Sequence, residues 1–210
     1  MLAVMPTRNL WAIEVDGRPR IRIFGGGPAL PAAWSDPEIE AFVRAIDVLW
    51  NEVPNIGPEG QALAIRYGVD PAGPLATWLA PDDLARVERA GGIVGVSMQL
   101  LAPLRPWLAV QILKMAAESR AGLHGEYSAE QHLVAVAEKA GVPVRSEFPA
   151  GEALFVAFAS WPRAAEVDRL RSTVAEIEAG LDSLVRQSEA WLASDLQNPR
   201  RVPCRLSSSL

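Results

Sequence analysis

The chain has 210 residues, of which 50% are hydrophobic and 21% charged, and its formal net charge is −5. This is globular composition, far from the disordered regime, and the length suits one domain with or without a helical appendage. The acidic balance argues against a nucleic-acid surface, which needs clustered cations, and no run of about 18 apolar residues is present to span a membrane.

The first ten residues contain Pro6 and Arg8 and lack the apolar core of a secretory signal. Cytoplasm is therefore the expected compartment. Leu10 to Phe24 reads as a β-hairpin, with Trp11, Ile13 and Val15 alternating with Ala12 and Glu14 about an Asp16-Gly17 turn. The second strand stops at Gly25-Gly26-Gly27-Pro28, where backbone freedom and a missing donor end regular pairing. Asp36 to Leu49 is expected to be a helix, capped by Ser35 or Asp36, started by Pro37 and apolar along Ile39, Phe42, Val43 and Ile46. Val48 to Val53 reads as a short strand with Glu52 inside it, and Pro54 to Gly60 as a loop. Gln61 to Tyr67 fits a helix or a strand equally.

Leu75 to Leu79 and the segment opened by Pro81-Asp82-Asp83 are expected helices, the second closed by Gly91-Gly92. Pro103 to Ser119 reads as a helix with Leu104, Trp107, Leu108, Ile112 and Met115 on one broad face, ended by Gly122. Ser128 caps the next helix, which ends near Gly141, and Val142-Pro143-Val144 follows as a short strand. Helix, glycine, short apolar strand is the αβ half of an α/β repeat. Val167, Leu170, Val174, Ile177, Leu181 and Leu184 then follow a 3-4-3-4-3 spacing, with Ser188 and Trp191 in phase. They predict one long helix over Glu166 to Leu192 that packs on another helix, either within the chain or as a homo-oligomer seam. Gly180 within that seam costs about 1 kcal/mol relative to alanine and is read as allowing close helix approach. From Leu196 to Leu210 the periodicity stops. That tail holds Arg200, Arg201, Arg205 and the single cysteine, Cys204, so neither an intramolecular disulfide nor a thiolate metal cluster is expected. Residues 1–195 form the expected domain and 196–210 a disordered tail.

Three runs of residues, taken in order, carry a resemblance. The first is Phe24-Gly25-Gly26-Gly27-Pro28-Ala29-Leu30-Pro31, followed by Trp34, Pro37, Ile39, the helix to Leu49, and Glu52. The second is Arg105-Pro106-Trp107-Leu108. The third runs from Glu130 to Gly141-Val142-Pro143-Val144, with Glu147 beyond it. Together they resemble the TraB/GumN family, relatives of the Tiki metalloproteases. The resemblance implies an α/β fold, with α+β as the alternative, helix-rich and of the kind shared by erythromycin-esterase-like and haem-binding ChaN-like proteins. For active members it also implies a divalent-metal site built from two Gly-x-x-His motifs and a glutamate. The glycine lets the backbone turn tightly enough to aim an imidazole into a cleft.

This sequence departs from both histidine motifs. Pro28 stands where the first histidine is implied, and proline has no side-chain donor or acceptor. The second motif finds no counterpart before the chain ends, and the change of composition at Leu196 gives the expectation of a truncated or frame-shifted end. The histidines present, His124 and His132, are expected at the surface or at helix caps. Trp34 and Trp107 are expected as core anchors. Glu52 is the one catalytic candidate, because a carboxylate near the end of an apolar strand is costly to bury without a partner. No Gly-x-Gly-x-x-Gly, P-loop or Gly-x-Ser-x-Gly element is present. The expectation is a family member of unknown substrate, without cofactor and without competent metal-dependent hydrolysis. The alternatives are an active hydrolase of the same fold using Glu52 and a divalent metal, and a helical homo-oligomeric module built on the Val167–Leu184 seam.

Overall fold

A computed structural model describes residues 10–13, 21–52, 57–70, 73–147 and 151–193. Strands β1 (Leu10–Ile13) and β2 (Ile21–Phe24) pair antiparallel, with Leu10 opposite Phe24 and Ile13 opposite Ile21. The hairpin is thus present, while its expected Asp16-Gly17 turn and the expected tail at 196–210 lie outside the described residues. Helix α1 (Pro37–Val43) begins where the sequence demands. The Asp36 carboxylate is 3% exposed and accepts the backbone N–H groups of Glu38 at 3.0 Å and Ile39 at 3.4 Å. Such a cap satisfies donors that the first turn leaves orphaned.

Helix α1 is shorter than expected, and the strand after it is shorter too. Strand β3 spans Leu49–Asn51 and runs parallel to β4 (Val144–Ser146), with Leu49 opposite Val144 and Asn51 opposite Ser146. The N–H of Leu49 donates to Pro143 O at 2.9 Å. This pairing claims the segment for the sheet and ends the helix early. Two parallel strands joined by a long helical crossover, beside a separate antiparallel hairpin, make a helix-rich fold consistent with α/β or α+β.

Among the described residues the crossover is mostly helical. It contains α2 (Gly57–Gly68), α3 (Leu75–Trp78), α4 (Pro81–Val94), α5 (Met98–Leu101), α6 (Pro106–Arg120) and α7 (Ala129–Ala140). Helix α2 decides the ambiguity at Gln61 to Tyr67. Helix α4 runs through Gly91 and Gly92 and stops at Gly95, whose left-handed φ of +81° caps it, while a Cβ at Gly91 would lie 2.5 Å from Val96 O. There glycine serves close chain return, not termination. After β4 come α8 (Glu152–Ala159), α9 (Arg163–Glu178) and α10 (Asp182–Leu192). Neither α5 nor α8 was anticipated. Among the described residues no helix is long and apolar enough to cross a membrane.

The main core lies where α4, α6 and α9 meet, around Leu75, Val87, Leu101, Leu113, Leu170 and Val174. Each such side chain contributes about 1.5–3 kcal/mol on burial. Val167, Leu170, Val174 and Ile177 are buried in it, and Leu181 and Leu184 are partly buried against it. The chain's own helices therefore cover the heptad-like seam. The single long helix is corrected as well. Gly180 adopts φ +105° and divides it into α9 and α10. That φ strains any residue with a Cβ, so this glycine breaks the helix instead of easing helix approach. A smaller cluster of Ile39, Val43, Leu133, Ala137 and Val142 joins α1 to α7 and the parallel strands.

Ion pairs fasten α9 to α4. Arg171 meets Asp83 at 2.7 Å, and Arg86 meets Glu178 at 2.7 Å. The hydrogen bond from Arg171 holds the Asp83 carboxyl below the usual carboxylate range, and that from Arg86 does the same for Glu178. A carboxyl whose folded pKa is depressed adds stability above its unfolded pKa. The contribution is lost as pH falls through the folded value. Urea stability is therefore expected to decline below about pH 4–5, the unfolded carboxylate range. Asp83→Asn combined with Glu178→Gln should flatten that decline. An unchanged slope in the double variant would show that these pairs are not its source.

Candidate functional site

The glycine turn follows directly from β2. After Gly25-Gly26-Gly27-Pro28 the chain enters the interior at Leu30, which is fully buried. Leu30 bridges His124: the His124 N–H donates to Leu30 O at 2.8 Å, and the Leu30 N–H to His124 O at 3.3 Å. The turn is thereby fixed against the segment that leads into α7. Above it lie three aromatic rings. Phe24 and Trp34 are 5.8 Å apart between centroids, Trp34 and Trp191 5.7 Å, and Phe24 and Trp191 6.2 Å. Both contacts to Trp191 are edge-on, the arrangement that ring quadrupoles favour.

Trp191 lies directly on the turn. Its Nε1–H donates to Gly25 O at 3.4 Å. A Cβ added at Gly27 would lie 2.6 Å from Trp191 Cε2, closer than real carbon contacts allow. Gly27 is therefore a floor on which an indole can rest. Glu130 approaches from α7, its Oε2 4.0 Å from where a Gly26 Cβ would stand.

One histidine borders this cluster. His132 packs edge-on against Trp34 at 5.8 Å, and its Nε2 lies 2.8 Å from Glu40 Oε1. Glu40 Oε2 accepts from Arg44 Nη2 at 2.7 Å. The His132 hydrogen bond, followed by the Arg44 one, lowers the Glu40 pKa. His132 thus bridges α7 to α1, a role not expected of a surface or capping histidine. His124 leads into a short 3-10 turn (Gly125–Tyr127), its Nδ1 3.8 Å from Glu126 and its ring 5.2 Å from Tyr127. It makes no side-chain cap hydrogen bond.

Glu52 stands apart from this arrangement. It follows β3, beyond the strand's last residue, and is exposed. Because β3 stops at Asn51, the carboxylate never enters the apolar interior. Glu147 holds the equivalent place after β4. It too is exposed, and its N–H donates to Asn51 O at 3.0 Å. The residues of the turn do not fit the metal site that the resemblance implies. Pro28 offers no donor, His132 is hydrogen-bonded to Glu40, and a catalytic zinc takes three protein ligands. Among the described residues no three His, Cys, Asp or Glu side chains gather as a ligand group.

A second polar centre lies at the Arg105-Pro106-Trp107 motif. Glu166 on α9 is fully buried there. It accepts a hydrogen bond from Arg105 Nη2 and, through Oε2, the backbone N–H of Trp107 at 3.3 Å. Arg105 Nη2 also donates to Ala159 O at 3.0 Å. Trp107 is 3% exposed and stacks on Phe158 at 5.4 Å and 15°. This motif holds α6 to α9 and is buried structure.

The sequence matches the TraB/PrgY/gumN family profile over residues 9–205. The chain belongs to the TraB/PrgY/gumN family. No curated protein and no solved structure matches it. The family match continues past Asp195 into the segment expected to be a tail. Within the TraB/PrgY/gumN frame, the three motif runs fall at the glycine turn, the α6 start, and α7 with β4. Two participants of the turn escaped sequence reasoning. Trp191 had a signal, since it continues the phase of Val167 to Leu184. Glu40 had only the i, i+4 relation to Arg44, which says nothing of His132.

Proposed function

We propose that this TraB/PrgY/gumN-family chain lacks metal-dependent hydrolase activity and that its glycine turn serves as a contact site for a side chain. One observation carries this reading. Where the family resemblance implies a ligating imidazole there is Pro28, and the space over the turn is taken by the indole of Trp191. The surrounding polar groups support it, because Glu40, His132 and Arg44 satisfy one another. Restoring one ligand is not enough to make a site. Pro28→His is expected to bind metal no better than the parent. The test is elemental analysis of both proteins after incubation with zinc, manganese or cobalt and exhaustive dialysis. Stoichiometric metal retained by the parent would overturn the proposal. Tight binding by Pro28→His alone would show that the other ligands are already in place.

A further inference from the structure

Helix α10 differs from the rest of the helical core in how it is held. Helix α9 is fixed by Arg171–Asp83, Arg86–Glu178 and the buried Arg105–Glu166 pair. Among the described residues no ion pair joins α10 to anything. Its junction with α9 is Gly180 at φ +105°, and a Cβ there would meet nothing within 4 Å. The joint is thus conformationally permissive and sterically open. Ser188, the one residue of α10 that is buried, has an Oγ without a hydrogen-bond partner. A buried unpaired hydroxyl penalises the docked state relative to one open to water. What favours docking at the far end of the helix is Trp191 on the turn.

The place that Trp191 fills is shaped for an indole. Gly27 supplies a floor with no Cβ, the Gly25 carbonyl accepts the single indole N–H, and Phe24 and Trp34 stand edge-on as walls. We propose that this is an indole-binding slot, occupied in cis by Trp191 on a hinged arm, and that the turn becomes available to another indole-bearing ligand only when α10 lifts. The proposal rests on reading the turn as a contact site, and it adds that the contact is reversible and selective for a flat ring with one donor. An arm weakly held over an otherwise stable core opens locally, without global unfolding.

Hydrogen exchange of the full chain tests this. Amides of Leu184 to Leu192 are expected to exchange at least ~100-fold faster than the protected amides of α6 and α9. Trp191→Ala and Gly27→Ala attack the contact from its two sides. Each should speed exchange in α10 and in residues 25–30 by roughly tenfold and leave α6 and α9 unchanged. Free indole at millimolar concentration should slow exchange of residues 25–30 in Trp191→Ala but not in Gly27→Ala, where the new Cβ occupies the floor. Exchange of α10 in step with α6 and α9 in the parent would overturn the hinged arm, and that comparison stands even if a variant fails to fold. Absence of an indole effect in a folded Trp191→Ala protein would overturn the slot. Metal retention is a separate measurement. A metal-binding parent would remove the contact-site reading while leaving the exchange result on α10 intact.

Discussion

Glu166→Ala is expected to destabilise the protein by about 3–5 kcal/mol, the cost of leaving one member of a buried ion pair without its partner. Glu166 has no solvent exposure, and the Arg105 side chain is 17% exposed. The carboxylate does two things at once. It neutralises Arg105, and it accepts the Trp107 N–H at the positive end of α6. Beyond Glu166, Arg105 has the Ala159 carbonyl at 3.0 Å from Nη2, while its Nε is buried without a partner. Its guanidinium does stand over Trp78, with Cζ 5.3 Å from the ring centroid, which recovers part of the attraction. Glu166→Gln keeps the shape and an acceptor for Trp107, so it should cost less than Glu166→Ala. Replacing both partners, as Arg105→Met with Glu166→Leu, should cost less than the sum of the two single changes, because neither charge is then stranded. Urea denaturation of the five variants, the single Arg105→Met and Glu166→Leu included, decides this. A loss below about 1 kcal/mol for Glu166→Ala would mean that packing alone, and not the pair, seats α9 on α6.

The contrast between Glu166 and Glu52 shows what could be read from the sequence. Both are glutamates beside apolar positions. Glu52 drew attention because it stood in a short apolar run, yet the strand ends one residue before it and the side chain remains exposed. Glu166 drew none, because it opens a periodic helix where acidic residues are ordinary. Only the fold brings it to Arg105, 61 residues away in sequence. Local chemistry was legible where a cap or a missing donor dictates the outcome, as at Asp36 and Ser128, whose side chains accept N–H groups of the first turns of α1 and α7. Gly180 was misread because spacing alone cannot report φ, and a glycine in phase with a seam looks the same whether it bends the backbone or allows helices to approach. The slot at the turn was half legible. The three glycines and Pro28 marked it, but Trp191 arrives from 166 residues beyond Gly25.

Trp107→Ala is expected to cost about 3–5 kcal/mol, the usual range for truncating a buried large aromatic to alanine. Its ring is enclosed by Phe158 and by Phe155, the latter 6.4 Å away and tilted by 55°. Gly68 closes the other side: a Cβ there would lie 2.8 Å from Trp107 Cζ2 and 2.5 Å from Leu108 Cδ2. The Gly68 carbonyl also accepts the Arg105 N–H at 2.7 Å, so α2 cannot retreat without losing that bond. The hole left by alanine is therefore expected to stay open, with its full cavity term. Trp107→Phe separates packing from polarity. It removes some ring area but also removes Nε1, which is buried without a partner. Relief of that unpaired donor, about 1–3 kcal/mol, offsets much of the lost contact, so this variant should fall within ~1 kcal/mol of the parent. Gly68→Ala should cost about 1–3 kcal/mol by overpacking the same contact from outside. In a Gly68→Ala, Trp107→Phe double variant the smaller ring makes room for the methyl, so the combined loss should be less than additive. Full additivity in urea melts would place the strain of Gly68→Ala on Leu108 instead of Trp107.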